Sequence, residues 1–179
     1  MTFEIKHKNI DKNMQLVEQE YQQTIKEIAN NLKSTNSFIT KKELIKKLFD
    51  WWQENIQYDN TILEQPRNNN GTGKYPNITY PYKNTLILAS EKYAPILLKK
   101  GICESFSIAF KDICDLIGVE CKVISSGDSN VISDYKKYAH AWNEVYIDGK
   151  YKTIDLTPNF LTFMGDLRTE KFTIHENGL

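Results

Sequence analysis

Apolar side chains in the first third of the chain recur with the spacing of amphipathic helices. Between Ile10 and Leu32 they follow one another at steps of three or four residues, which is the period of one helix face. This pattern predicts a helix from about residue 11 to 33. Thr40 and Glu43 have the spacing of a capping box, which predicts a second helix directly after Thr40. The apolar positions expected on the buried face of that helix are Leu44, Ile45, Leu48, Trp51, Trp52 and Ile56.

After Tyr58 the composition of the chain changes, because prolines, glycines and asparagines become frequent. Residues 59–84 contain the run Asn68 to Gly73 as well as Pro76 and Pro81. Such a segment is too rich in helix breakers for a helix, and it predicts a long irregular connection. Long loops inside compact domains are often functional.

A third helix is predicted from Ile102 to Ile117, because an apolar face there is bounded by Gly101 and Gly118. Beyond Gly118 the pattern becomes β-like, and Asp148-Gly149 matches a two-residue hairpin turn. The predicted strands cover residues 120–125, 139–147 and 150–156. Helices followed by strands indicate an α+β fold with an antiparallel sheet.

Composition and charge narrow the functional classes. Lys and Arg together number 23, as do Asp and Glu, so nothing in the charge demands a nucleic-acid partner. No apolar run is long enough to span a membrane, and the amino terminus lacks the apolar core of a signal peptide. We therefore expect a cytoplasmic protein, although a removed leader or a longer parent protein is left open. The three cysteines include no CxxC pair, which suits reduced thiols better than disulfides.

The predicted hairpin brings a histidine and an aspartate together. If Asp148 and Gly149 form the turn, Trp142 lies opposite Asp155. His140 shares a strand face with Trp142, so His140 and Asp155 are diagonal neighbours with backbones about 7 to 8 Å apart. An aspartate that binds one ring nitrogen leaves the other nitrogen to act as a base.

Cys103 is the candidate nucleophile. It is expected in the first turn of the third helix, where free amides and the helix dipole favour a thiolate, and Lys99 and Lys100 add positive charge. Cys114 and Cys121 lack this setting and are expected to be small buried hydrophobes. Cys103 and Cys114 would stand about 16 Å apart along the helix, too far for one zinc site. We therefore expect no metal and no other cofactor.

Several segments resemble the transglutaminase-like superfamily, a set of papain-related cysteine enzymes. They are Leu48 to Asp59, Lys100 to Phe110, Leu116 to Val123, and His140 to Tyr151 continuing to Asp155. The resemblance implies that Cys103 is the nucleophile, His140 the base and Asp155 the residue that orients it, with the catalytic helix packed on an antiparallel sheet. It divides the chain into an N-terminal helical extension, residues 1–39, and a transglutaminase-like catalytic domain, residues 40–179.

The sequence departs from the family pattern at a few positions near the expected site. Ser105 stands where relatives often have glycine, and Tyr151 replaces the usual tryptophan of the second strand. The segment Asp155 to Pro158 replaces the common Asp-x-Thr-Trp. These changes leave the three catalytic residues in place and bear on substrate geometry. The calcium sites and accessory domains of the large animal transglutaminases have no counterpart in this sequence.

The resemblance implies a mechanism but does not define a substrate, because the family includes transglutaminases, proteases, deamidases and peptide N-glycanases. We expect hydrolysis of a protein or peptide amide through a thioester, by a protease or a deamidase. The alternatives are transfer to an amine, as in a transglutaminase, and a catalytically idle module that binds a peptide or partner. Trp142, Tyr82 and Asn84 are assigned to substrate or oxyanion binding, with the backbone amide of Cys103 as one oxyanion donor.

Overall fold

The computed structural model describes residues 12–34, 39–62, 78–125 and 140–165. The helices are α1 (Lys12–Lys33), α2 (Lys41–Asn55), α3 (Tyr93–Leu97) and α4 (Cys103–Ile117). The strands are β1 (Gln57–Tyr58), β2 (Thr79–Tyr82), β3 (Thr85–Leu88), β4 (Lys100–Gly101), β5 (Cys121–Ser125), β6 (Ala141–Ile147), β7 (Lys150–Asp155) and β8 (Thr162–Gly165). Short 3-10 turns cover Asn60–Ile62 and Pro158–Phe160. None of the described helices is long and apolar enough to cross a membrane.

A central helix packed on an antiparallel sheet forms the body of the fold. The sheet has the strand order β5-β6-β7-β8, and each neighbouring pair is antiparallel. Helix α4 contacts β5 and β6 on one side and α1 on another. Its apolar residues Phe106, Phe110 and Ile113 are buried in the main core. The expected α+β class, with a helix packed on an antiparallel sheet, is confirmed.

Helix α2 begins where the sequence predicts. The backbone N–H of Glu43 donates to the Thr40 hydroxyl oxygen at 3.2 Å, and the backbone N–H of Thr40 donates to the Glu43 carboxylate at 2.8 Å. These reciprocal bonds satisfy amides that a helix start otherwise leaves without partners. Farther along, Trp52 is fully buried against Phe106, while Trp51 is half-buried at the edge of the core. The predicted capping box is confirmed.

Helix α1 shares the main core with the rest of the fold. Tyr21 and Ile25 are buried in the same cluster as Phe110 of α4. The Tyr21 hydroxyl also donates to the Asp112 carboxylate at 2.8 Å. The division at residue 40 stays a prediction about the chain, and the hydrophobic core runs across it.

The structure contains elements that the sequence patterns do not predict. The segment expected to be irregular includes β2, which pairs with β3 as an antiparallel ribbon, in register from Thr79 with Leu88 to Tyr82 with Thr85. Pro81 fits because a two-stranded ribbon leaves strand edges that need no N–H donor. Strands β1 and β4 pair in parallel over two residues each, which is too short to produce a sequence period. Helix α3 and strand β8 are likewise additional.

Candidate active site

Cys103 is the first residue of α4, and the turn around it is held by hydrogen bonds. The backbone N–H of Ile102 donates to the Ser105 hydroxyl at 2.9 Å, and that hydroxyl donates to the Ile102 carbonyl at 3.0 Å. A Cβ atom on Gly101 would lie 2.4 Å from the Ser105 oxygen. The serine that departs from the family pattern therefore caps the helix and requires glycine at position 101.

The hairpin between β6 and β7 has the register predicted from sequence. Ile147 pairs with Lys150, Tyr146 with Tyr151, and the pairing continues to Asn143 with Ile154. Asp148 and Gly149 both have positive φ, at 51° and 81°, as a type I′ turn requires. The turn matches the right-handed strand twist, so it fixes which residues face one another.

This register places His140 directly before β6 and Asp155 at the end of β7, in hydrogen-bonding contact. His140 Nε2 lies 2.7 Å from Asp155 Oδ2, and the two residues are 8% and 4% exposed. The other carboxylate oxygen, Oδ1, accepts from the backbone N–H of Thr157 at 2.9 Å. Both oxygens of Asp155 are thus engaged, which holds the carboxylate in one orientation. The predicted hydrogen bond across the hairpin is confirmed.

Cys103 also interacts with His140. Burial by itself would lower the pKa of His140, but hydrogen bonding and electrostatic interaction with Asp155 and Cys103 raise that pKa to about 9. Cys103 is itself buried, at 2% exposed. Because Nε2 is bound to Asp155, Nδ1 is the ring nitrogen that we assign to the interaction with Cys103. At neutral pH the site therefore holds a protonated imidazole between a carboxylate and a sulfur.

Two aromatic rings pack against the His140 ring. The Trp142 ring stacks with it at a centroid distance of 5.8 Å and an interplanar angle of 24°. The Phe160 ring lies closer, at 4.5 Å. These contacts limit rotation of the imidazole out of the plane that Asp155 selects. The structure therefore places Trp142 beside the candidate base, where sequence reasoning assigned it to the same face.

Tyr82 and Asn84 contact helix α1. Burial and interaction with Glu20 raise the pKa of Tyr82, and the backbone carbonyl of Asn84 accepts from the Asn13 side-chain amide at 3.2 Å. These contacts dock the β2-β3 ribbon on α1. Their assignment to oxyanion binding stays a prediction.

The two other cysteines occupy apolar surroundings. Cys114 is fully buried, and burial, the hydrogen bond to Cys121 and the neighbouring Asp115 raise the pKa of its thiol well above the ordinary value. Cys121 is also buried and accepts from the Asn143 side chain at 3.5 Å. Both behave as small core residues. Within the described residues, no three His, Cys, Asp or Glu side chains are arranged to hold a metal ion.

The lysines before Cys103 lie over aromatic rings. Lys99 Nζ is 5.4 Å from the Trp51 ring centroid, and Lys100 Nζ is 3.8 Å from that of Tyr80. Such cation–π contacts stabilise the ammonium groups where they are. The described contacts of both lysines therefore hold the chain that leads into α4, and they do not bring the ammonium groups to the sulfur.

Sequence reasoning missed other residues that support the site. The contact of Thr157 could have been predicted from the sequence. An aspartate side chain often accepts from the backbone N–H two residues later, which forms an Asx turn. Asn143 donates to the Ser107 carbonyl at 2.9 Å, and the Ser107 hydroxyl donates to the Cys103 carbonyl at 2.8 Å. These bonds join the strand that follows His140 to the helix that begins at Cys103. Like the contact of Phe160, the bond from Asn143 depends on tertiary packing and leaves no local pattern.

Comparison with known proteins identifies the family to which this chain belongs. The chain belongs to the transglutaminase-like superfamily, whose family model matches residues 22–156. The human protein kyphoscoliosis peptidase is 24% identical over 143 residues, which are 77% of this chain and 18% of that protein. This chain thus matches less than a fifth of its curated relative. A crystal structure described as a TGase has a TM-score of 0.53 at 19% identity, covering 94% of this chain and 38% of that one, and it shares the fold.

Proposed function

We propose that this protein is a cysteine-dependent hydrolase that cleaves amide bonds of proteins or peptides through a thioester acyl-enzyme. The observation that carries the proposal is the position of His140, which binds Asp155 at 2.7 Å and whose pKa is also raised by hydrogen bonding with Cys103. A nucleophile, a base and an orienting carboxylate in this order are the parts of a catalytic triad.

Acylation begins from the state in which the proton of the Cys103 thiol has moved to His140 Nδ1. The thiolate attacks the amide carbonyl carbon and forms a tetrahedral intermediate with a negatively charged oxygen. The carbon–nitrogen bond then breaks, and His140 Nδ1–H gives its proton to the leaving amine. Asp155 stabilises the imidazolium throughout, and the product of this half-reaction is a thioester on Cys103.

Deacylation returns the enzyme to its starting state. A water molecule gives a proton to His140 Nδ1 while its oxygen attacks the thioester carbonyl. The carbon–sulfur bond breaks and releases a carboxylic acid and the Cys103 thiolate. The backbone N–H of Cys103 has no acceptor within its helix because it lies in the first turn, so we assign it as one donor to the oxyanion.

Hydrolysis is favoured over transfer because the curated human relative is named a peptidase. Water is abundant and needs no binding site, whereas transfer needs a second site for an amine. A protein or peptide is therefore the proposed substrate, and the proposal involves no nucleic acid, membrane or cofactor.

The test compares wild type, Cys103→Ala and the matched control Cys114→Ala after incubation with a protein lysate and a labelled primary amine. We expect new peptide termini with wild type and Cys114→Ala that are absent with Cys103→Ala. Mass gains equal to exchange of an amide NH2 for OH would identify a deamidase, and labelled-amine adducts a transglutaminase. If all three proteins gave identical spectra and captured the same partner, the proposed enzyme activity would be wrong and the protein would be a binding module.

A further inference from the structure

The chain that leads into Cys103 is anchored on a distant segment. Strand β4 runs parallel to β1, and the backbone N–H of Gln57 donates to the Lys99 carbonyl at 2.8 Å. The backbone N–H of Asp59 donates to the Gly101 carbonyl at the same distance. Gly101 is separated from Cys103 by Ile102 alone. The position of residues 57–59 therefore fixes the point from which α4 begins.

Asp59 carries a buried carboxylate that the proposed mechanism does not use. The residue is 8% exposed, and its Oδ1 accepts from the Thr61 hydroxyl at 2.6 Å and the Thr61 N–H at 3.0 Å. Its Oδ2 accepts from the Tyr80 hydroxyl. Burial would raise the pKa of Asp59, but the bonds from Thr61 and Tyr80 and the charge of Lys100 together lower it. The carboxylate is thus ionised at neutral pH.

Lys100 links this carboxylate to the strand before Cys103. Its ammonium group lies 3.8 Å from the Tyr80 ring centroid and within electrostatic range of Asp59. We call Asp59, Thr61, Tyr80 and Lys100 the Asp59 clamp. The clamp joins β4 to β2 and to the turn after β1, so three segments meet at one carboxylate.

The junction beyond the clamp has little room to adjust. A Cβ atom on Gly101 would lie 2.4 Å from the Ser105 oxygen and 3.3 Å from Pro95. Ser105 is fully buried and already caps the Ile102 N–H. A shift of β4 would consequently pass to the first turn of α4, where Cys103 meets His140.

We propose that Asp59 is a positioning residue for Cys103, acting through Tyr80 and Lys100 to hold β4 where the sulfur meets His140. The inference rests on the proposed function in one respect, since it gives the placement of Cys103 a catalytic purpose. A misplacement of about 1 Å at a reacting group costs on the order of 10²-fold in rate. Loss of the clamp is therefore expected to lower the reactivity of Cys103 by at least about tenfold.

The test measures alkylation of Cys103 by iodoacetamide as a function of pH, read by peptide mass spectrometry. The variants are Asp59→Asn, Tyr80→Phe and the double variant. The matched controls are Asp112→Asn and Tyr21→Phe, which remove the charge or the hydroxyl from a hydrogen bond of the same kind elsewhere in the fold. Asp112 lies nine residues after Cys103 on α4, about 14 Å along the helix. Thermal unfolding of every variant identifies the temperature at which all are folded.

The expected result is slower alkylation of Cys103 and an altered pH profile for Asp59→Asn and Tyr80→Phe, with the double variant no slower than the slower single one. Both controls should alkylate at the wild-type rate even where their melting temperatures fall equally. Wild-type rates and pH profiles in Asp59→Asn and Tyr80→Phe would overturn the inference, as would equal slowing in the controls. Alkylation needs no substrate, so failure of the proposed amide hydrolysis would be seen separately in the lysate experiment.

Discussion

Helix α4 carries a buried cysteine near each of its ends, and the two thiols have opposite surroundings. Cys103 is 2% exposed and Cys114 is fully buried, so burial does not distinguish them. Cys103 lies at the amino-terminal end beside the raised-pKa imidazole of His140. Cys114 lies near the carboxyl-terminal end beside Cys121 and Asp115, where the pKa of its thiol is raised.

Under the proposed function, position on the helix and charged neighbours decide which of the two buried thiols is reactive. The amino-terminal end of a helix favours negative charge and the carboxyl-terminal end disfavours it. At Cys103 the start of the helix and the imidazolium of His140 both place positive charge near the sulfur. At Cys114 burial and the adjacent carboxylate both oppose ionisation. In the proposed function the same residue type therefore serves chemistry at one end of α4 and packing at the other.

The largest effect should come from removing the Cys103 thiol, with Cys114→Ala as the comparison. Cys103→Ala is expected to abolish turnover, a loss of about 10⁶-fold as for other removed nucleophiles. Cys114→Ala should retain activity and lose on the order of 1 kcal/mol of stability from the small cavity it leaves. Activity assays with denaturant unfolding measure both, and comparable activity in the two variants would break the contrast between the two thiols.

A smaller loss is expected for Asp155→Asn. The amide cannot stabilise the imidazolium, so turnover should fall by roughly 10⁴-fold, the size seen when the carboxylate of such a triad becomes an amide. The pKa of His140, raised to about 9 by its partners, should move down toward its ordinary value. Histidine titration by NMR measures this shift. An unchanged pKa would mean that Asp155 does not set the charge at the amino-terminal end of α4.

The pH dependence should follow the proton on His140. Because the leaving amine takes that proton, kcat/KM should fall as pH rises through about 9, by about tenfold per pH unit beyond it. The folded pKa lies above the ordinary 6.5, so the stability that His140 contributes is complete below 6.5 and is lost as pH rises through about 9. Urea unfolding of wild type and Asp155→Asn across this range measures the loss. If the free energy of unfolding of wild type and Asp155→Asn changed with pH in parallel, this prediction would be wrong.

The smallest contrast concerns the glycines that flank α4. Gly101→Ala forces a Cβ to 2.4 Å from the Ser105 oxygen, so it should cost about 1–3 kcal/mol and also lower activity by displacing Cys103. Gly118 has a φ of 77° with open space around it, so Gly118→Ala should cost about 1–2 kcal/mol of strain and leave kcat/KM unchanged. Equal loss of activity in both variants would show that the two ends of the helix are not functionally distinct.

The parts of this site that could be predicted from the sequence are those set by a local turn. The Asp148-Gly149 turn fixes a register, and that register alone brings His140 to Asp155. Phe160 and the Asp59–Tyr80 contact could not be predicted in this way, because they join segments that are distant in the chain and have no period. Their positions follow from how the α4 core and the β2-β3 ribbon pack together.

The most direct test of the central claim is the ratio of alkylation rates at Cys103 and Cys114 in one sample of folded wild-type protein at pH 6. Mass spectrometry of the two peptides after brief iodoacetamide treatment gives the ratio, and Asp155→Asn provides the matched comparison. The account predicts that Cys103 is labelled at least about 10²-fold faster than Cys114, and that the ratio falls in Asp155→Asn. Equal labelling of the two cysteines in wild type, or a ratio unchanged by Asp155→Asn, would contradict it.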